Sequence, residues 1–425
     1  MRSFALPPLP CALLQGFSFH AVQEVIGDRP RLSLQGWYHA STEPDNIQDA
    51  TLQRLKAVRK KDSSHDTEDE AFEAYSDESP SSEAKKTDEE GKDAAVAAGS
   101  RTDQEDLSEA DRKYLSQYLD ETYLKPEALK EMKECFEDES SIQLRHFLQD
   151  KWVDRLSKAT GKEDADQLSI DHPDFHKQGV SDSWELVGPS HMQRFLQYSG
   201  KEAETESPES AGELLQHLRT KVLESQPFRR FLKVITSLGT ATGYRGKIRR
   251  FRPGRDYTVA HYGLLTEKSV LDATLCFAAG TGILPPPAKD EGDDAEEKDE
   301  GEKQEKKSPS APVNKAGADD LPDEADLLWQ SGDVGGFECY IAADDDGDEA
   351  NGGKDSTPDE SYNAEDDTEL LSISASNNTL SLVYRDPGTM RFVKYVSQKA
   401  PSSRWDVSME YQVEDTGDED EDEVV

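Results

Sequence analysis

FSFHAVQEVIGDRPRLSLQGWYH (residues 17–39) decides how this 425-residue chain is read. Phe17, Phe19 and Ala21, then Leu32 and Leu34, alternate as on a half-buried strand, and β-formers are dense around them. Gly27, Asp28, Arg29 and Pro30 supply turn chemistry between the two runs. The stretch is therefore predicted to be two strands joined by a turn. His20 lies in the first strand. Arg31 and Ser33 open the second and, two residues apart, share one face.

The order His20-x10-Arg31-x-Ser33 has the spacing expected of a non-haem iron oxygenase that uses 2-oxoglutarate. A neutral imidazole suits Fe(II), and such centres use two His and one carboxylate, leaving positions open for co-substrate and O2. The far carboxylate of 2-oxoglutarate needs a partner, and a guanidinium fork with a neighbouring hydroxyl provides one. Along one straight strand His20 and Arg31 would stand roughly 36 Å apart, so only the intervening turn brings them together. On these residues alone, a packed or surface histidine remains the competing reading of His20.

A second stretch, RFVKYVSQKAPSSRWDVSMEY (residues 391–411), overlays the first without a gap. With Phe19 on Phe392, His20 falls on Val393, Arg31 on Arg404, Ser33 on Asp406 and Tyr38 on Tyr411. A repeat at this separation suggests two related β-domains. The second copy is expected to be silent, since valine cannot ligate iron and Asp406 would neutralise Arg404 and repel a carboxylate.

With these pieces in place the chain resembles the two-domain prolyl hydroxylases of the Ofd/Tpa type. The resemblance is carried by SFHAVQEV with RLSLQGWYH, YLKPEALKEMKECFEDESSIQLRHFL, WELVGPSHMQRFLQY, RFRPGRDYTVAHYG, GDVGGFECYIAA and RWDVSMEYQV, in that order. It implies a catalytic double-stranded β-helix followed by a degenerate one, with Fe(II), 2-oxoglutarate and ascorbate as cofactors. It also implies hydroxylation of a proline in a basic small-subunit ribosomal protein, and residence in cytoplasm and nucleus. By resemblance His20 is the distal iron ligand, Arg31 the 2-oxoglutarate arginine, and Ser33 its helper. The family's His-x-Asp pair is not found ahead of His20, which only nineteen residues precede. The literal His172-Pro173-Asp174 lies in a Pro-broken stretch, and His261-Tyr262-Gly263 lacks the carboxylate. The chain is thus expected to be an incomplete, inactive fragment of the enzyme.

The implied fold class is mainly β with a helical flank (α+β). A double-stranded β-helix (jelly-roll or cupin-like) forms its C-terminal domain, and the last hairpin of a truncated N-terminal one precedes it. Expected boundaries are 1–58 for the catalytic remnant, 59–106 for a disordered acidic linker, and 107–239 for a helical region joining the domains. The degenerate β-domain follows at 240–413, with disordered inserts at 285–325 and 344–367, and an acidic tail at 414–425.

A net charge of −40, from 49 basic and 89 acidic residues, is gathered in blocks and marks much of the chain as solvated insert. It opposes direct contact with nucleic acid and is compatible with a basic protein partner. Cys11, Cys135, Cys276 and Cys339 have no paired spacing and fit a reducing compartment. No run is apolar enough to span a membrane.

Helices are predicted over 45–58, over 108–119 capped by Ser108, over 126–136 after Pro126, from Ser140 through Trp152, from Gly188 through Leu196, over 210–225 and over 228–238. Strands are predicted at 248–252, 256–261, 271–278, 337–341, 370–375, 379–384, 392–396 and 404–413. His146 and His176 are expected at the surface. Two rivals to the oxygenase stand beside it. One is a non-catalytic regulatory protein that binds a partner through the C-terminal β-domain. The other is a chaperone of basic proteins acting through the acidic inserts.

Overall fold

The structure, a computed structural model, describes residues 71–75, 107–168, 174–200, 208–260, 266, 268–278, 324–342 and 369–413. Two compact units divide the chain, Met1–Ala71 and Phe72–Val425, and all but the first of the described residues lie in the second. The predicted hairpin at 17–39, the helix at 45–58, the insert at 344–367 and the tail at 414–425 lie outside the described residues. So do all but 71–75 of the linker and all but 324–325 of the first insert.

Six α-helices are described: α1 (Glu109–Leu115), α2 (Pro126–Glu139), α3 (Asp150–Gln167), α4 (Ala211–Leu218), α5 (Gln226–Thr236) and α6 (Glu324–Ser331). The strands in chain order are β1 (Glu73–Ala74), β2 (Ser141–Arg145), β3 (Trp184–Val187), β4 (Gln193–Tyr198), β5 (Gly243–Phe251) and β6 (Tyr257–Thr258). They continue with β7 (Val270–Phe277), β8 (Glu338–Ala342), β9 (Glu369–Ile373), β10 (Thr379–Arg385), β11 (Thr389–Val393) and β12 (Arg404–Gln412). Nine of these form one sheet in the order β2-β10-β7-β12-β5-β4-β3, with β1 added to β5 and β6 to β4. The other three form a small sheet, β11-β8-β9, and every pairing is antiparallel. The architecture is α+β with antiparallel sheets.

Local chemistry sets the helix ends. Ser108 caps α1 by accepting from the Asp111 N–H, and Ser210 and Glu213 form a reciprocal capping box on α4. Pro126 and Pro227 sit in the first turns of α2 and α5, where a missing N–H costs nothing. Ser140 and Ser237 close α2 and α5 with left-handed backbones (φ 54° and 57°). The helix predicted over 228–238 thus stops at Thr236, two residues earlier.

Two helical predictions are corrected. Residues 141–145 are a strand, because the left-handed turn at Ser140 ends α2 and Ile142 and Leu144 then alternate inward against Leu382 and Leu380 of β10. Residues 193–198 are also a strand. Adjacent Phe195 and Leu196 are both buried because they face different cores on opposite sides of the sheet, which imitates a helical stripe in sequence. The region 107–239 is therefore not purely helical: it contributes β2, β3 and β4 to the main sheet. Residues 72–75, predicted as linker, and 324–331, which include the end of the predicted first insert, also carry structure.

β12 shows how the main sheet sorts its faces. Trp405, Val407, Met409 and Tyr411 point to the helical side, where they join Leu115, Met132, Phe228, Phe231 and Ile235 in one core. Each such fully buried side chain contributes roughly 1.5–3 kcal/mol. Tyr411 finishes its burial by donating its hydroxyl to the Leu223 carbonyl at 2.7 Å. Arg404, Asp406, Ser408 and Glu410 take the opposite face, toward the small sheet, and that face is charged.

Candidate functional site

The space between the main and the small sheet holds the residues that the repeat aligns with the hairpin. Arg404 and Asp406, two apart on β12, share a face, and Arg404 Nε donates to Asp406 Oδ2 at 3.1 Å. The expected neutralisation of Arg404 by Asp406 is thus observed. Arg249 lies opposite Asp406 in the ladder and binds both its oxygens, at 2.7 and 3.0 Å. Arg404 also donates to the Gly336 carbonyl, whose glycine sits at a turn with φ +72°.

From β8, Glu338 enters the same space. Its carboxylate meets Arg391 of β11 at 2.7 Å, Arg249 at 3.5 Å and Arg404 at 3.7 Å. Arg391 spans the gap between the sheets, donating to Thr274 of β7 and Ser408 of β12 and pairing with Asp272 at 3.2 Å. The network continues from Asp272 to Arg385 at 2.7 Å, then to Glu410 at 3.0 Å, and ends on Arg245. Glu338, Asp272 and Asp406 are each no more than 1% exposed. Above this network, Phe251, Trp329, Val393 and Val396 form a small apolar core.

The charges set each other's protonation. Burial pushes the Glu338 carboxyl up, but the guanidiniums of Arg391, Arg404 and Arg249 more than reverse this and hold it at about 2. Burial raises Asp272 and is only partly opposed by Arg391 and Arg385. Burial likewise pushes the Cys276 thiol up to about 11, so this cysteine is an inert core group.

A depressed carboxyl contributes stability that is present above its unfolded value near 4.5 and lost as pH falls toward 2. Glu338 therefore stabilises the fold at neutral pH by an amount on the order of 3 kcal/mol. In urea titrations at pH 7, 4 and 3, Glu338→Gln is expected to be less stable than the parent at pH 7. The gap should narrow as the pH drops. A gap that stays constant across that window contradicts a charge-based role.

This space does not fit iron and 2-oxoglutarate. Val393, at the distal ligand position, is fully buried in apolar company and has no donor atom. Arg404 is already occupied by Asp406, Glu338 and a carbonyl, so no fork is open to a carboxylate. Among the described residues no group of three or more His, Cys, Asp or Glu side chains is arranged to hold a metal ion.

His20, Arg31 and Ser33 lie outside the described residues, as do His261, Tyr262, Gly263, His172 and Pro173. Asp174 is exposed. His146 is exposed as expected, whereas His176 is half-buried, a correction. Burial, with Arg194 and Arg252 nearby, depresses its pKa. Sequence reasoning missed Asp272, Glu338, Arg385 and Arg391. The signal was present in VLDATLCF, where Asp272, Thr274 and Cys276 form one polar-leaning face of an otherwise apolar strand.

Comparison with known proteins agrees with the resemblance. Residues 110–420 match the family described as oxoglutarate and iron-dependent oxygenase degradation C-term. Prolyl 3,4-dihydroxylase OGFOD1 of Ostreococcus tauri is 28% identical over 401 residues, which is 93% of this chain and 62% of that protein. Prolyl 3-hydroxylase OGFOD1 of Xenopus laevis is 38% identical over 72 residues, 17% of this chain and 10% of that one. The chain thus spans less than two thirds of the length of these relatives. Among solved structures, a prolyl hydroxylase of Trichoplax adhaerens in complex with a hypoxia inducible factor peptide is similar with a TM-score of 0.33 and 8% identity. That match covers 68% of this chain and 93% of the other. With the family match extending over most of its length, the chain belongs to the Ofd/Tpa-type prolyl hydroxylase family.

Proposed function

We propose that the chain is part of a 2-oxoglutarate- and Fe(II)-dependent prolyl hydroxylase acting on a basic small-subunit ribosomal protein in cytoplasm and nucleus. The observation that carries this reading is the alignment of 93% of the chain with a prolyl 3,4-dihydroxylase. In it, His20 holds iron, Arg31 with Ser33 binds the far carboxylate of 2-oxoglutarate, and ascorbate keeps the metal reduced. The C-terminal unit is a double-stranded β-helix domain without catalysis of its own. The saturated guanidinium of Arg404 supports this division, because the arginine that aligns with Arg31 is held by the protein's own acids. Since His20 is its one candidate iron ligand, the chain by itself is proposed to be inactive.

A second reading is a regulatory protein that binds a partner through the C-terminal unit, in which Arg404 is closed to a co-substrate by the chain's own groups. Coupled turnover separates the two. The chain, and a version extended upstream to the relatives' length, are given Fe(II), 2-oxoglutarate, ascorbate and prolyl peptides of small-subunit ribosomal proteins. Succinate and a hydroxylated peptide are expected from the extended chain only. His20→Ala in it should lower turnover by at least about 100-fold, since losses of outer-shell partners alone reach that size. Unchanged turnover after His20→Ala removes the assignment of His20. No turnover from the extended chain favours the regulatory reading.

A further inference from the structure

Residues 72–75, FEAY, fall in a stretch whose composition predicts a featureless acidic linker, yet they are laid against the C-terminal unit as β1. Glu73 pairs with Tyr244 and Ala74 with Gly243 at the start of β5, and the Tyr75 N–H donates to the Thr242 carbonyl at 3.2 Å. The two aromatic rings fill two cationic seats. Arg245 stands 4.6 Å over Phe72, and Arg229 stands 4.6 Å over Tyr75, whose ring also lies 4.7 Å from that of Tyr244.

The cradle is fixed by the rest of the fold rather than by its occupant. Arg229 Nε donates to the Ala241 carbonyl, and Arg245 Nε to Glu410 at 2.7 Å. Gly243 leaves room for the passing strand. A Cβ there would lie 3.2 Å from the Glu73 carbonyl oxygen and 3.2 Å from Phe72 Cβ. Backbone pairing plus two side-chain seats is how a sheet recognises an added peptide strand. The flanks, Asp66, Glu68, Asp69, Glu70, Asp77 and Glu78, are acidic and match the two arginines in charge. Two ladder residues are few to hold a strand, so local opening costs far less than unfolding.

We propose that the Arg229–Tyr244–Arg245 cradle is a recognition site for acidic peptides of the form Phe-x-x-Tyr, and that its resident ligand is this chain's own residues 72–75. Release of that segment frees the cradle. The proposal stands apart from the hydroxylase reading, since it uses none of the residues assigned there.

A fluorescently labelled peptide spanning residues 66–79 tests it by anisotropy. Saturable binding is expected to the chain carrying Phe72→Ala and Tyr75→Ala, whose cradle is vacant. Binding to the unsubstituted chain should be at least about tenfold weaker, because the tethered segment competes at high effective concentration. Adding Gly243→Val to the vacated chain should abolish binding. Absence of saturable binding to a vacated chain that melts like the parent overturns the proposal, as does binding indifferent to Gly243→Val. Hydrogen exchange on the unsubstituted chain needs no folded variant. There, excess unlabelled peptide should accelerate exchange of the Tyr75 amide, and unaltered protection overturns the proposal.

Discussion

Arg391→Met is expected to lower the free energy of unfolding by about 3–5 kcal/mol, the usual size for breaking a buried ion pair from one side. Arg391 crosses from the small sheet to Asp272, Thr274 and Ser408 on the main one and also pairs with Glu338 on its own sheet. Methionine fills a similar volume but leaves Glu338, among the described residues, with the longer contacts to Arg249 and Arg404, and Asp272 with Arg385. Both carboxylates are 1% exposed, so water cannot take the place of the lost guanidinium. The double variant Arg391→Met/Glu338→Gln should recover part of the loss, because it removes one stranded charge together with its partner. At the rim, Arg245 pairs with Glu410 through a side chain that is 29% exposed. Arg245→Met should cost about 1 kcal/mol or less. Urea unfolding at pH 7 measures all three. An Arg391→Met loss as small as that of Arg245→Met would mean that the interior is wet and the network a surface feature.

The same network shows what could be read from sequence and what could not. The closing of Arg404 by Asp406 was legible because it rests on residues at fixed spacing: Asp406 shares a strand face with Arg404, and Val393 brings no side-chain donor. Period-two spacing carries that kind of information directly. Glu338 and Arg391 were not legible, because their importance arises only when β8 and β11 are brought across the gap from β7 and β12. No local pattern encodes which sheet a charged strand residue will face. The strand at 141–145 was lost for a related reason. Ile142 and Leu144 continue an apolar series from α2 and into α3, and only the left-handed Ser140 reveals that the chain turns between them. Phe195 and Leu196 misled because a strand covered on both faces loses its alternation. The docked FEAY segment was hidden by its neighbours, since an acidic, Ser-rich stretch dilutes two aromatic residues to the composition of a tether.

Arg250→Met should produce a loss of similar size, about 3–5 kcal/mol, but on the other face of the sheet and with a different local signature. Arg250 lies opposite Trp405 in the ladder, its guanidinium 4.3 Å over that indole, and it is fully buried among the helices. It meets Asp164 at 2.6 Å and also donates to Gln167, both in the last turn of α3. A carboxylate there faces the negative end of the helix dipole, so Asp164 depends on a cation more than an acid near a helix start does. Ser403 supplies Asp164 with hydrogen bonds from its N–H and hydroxyl, at 2.8 and 2.7 Å, but no charge. Removing Arg250 therefore leaves a solvated-poor carboxylate held by dipoles alone, and it also opens space beneath Gly179, whose Cβ position lies 3.0 Å from the guanidinium. Hydrogen exchange should speed up in the C-terminal half of α3 and around residues 178–180, while the ladder between β7 and β10 keeps its protection. Arg250→Lys separates charge from shape: it restores a cation but not the fork that reaches Asp164, Gln167 and Ser403 together, and should recover less than half of the loss. Full recovery by lysine would show that charge alone joins α3 to the sheet. Equal exchange changes in β7 and β10 would show that the two buried networks act as one unit and not as separate ties on opposite faces.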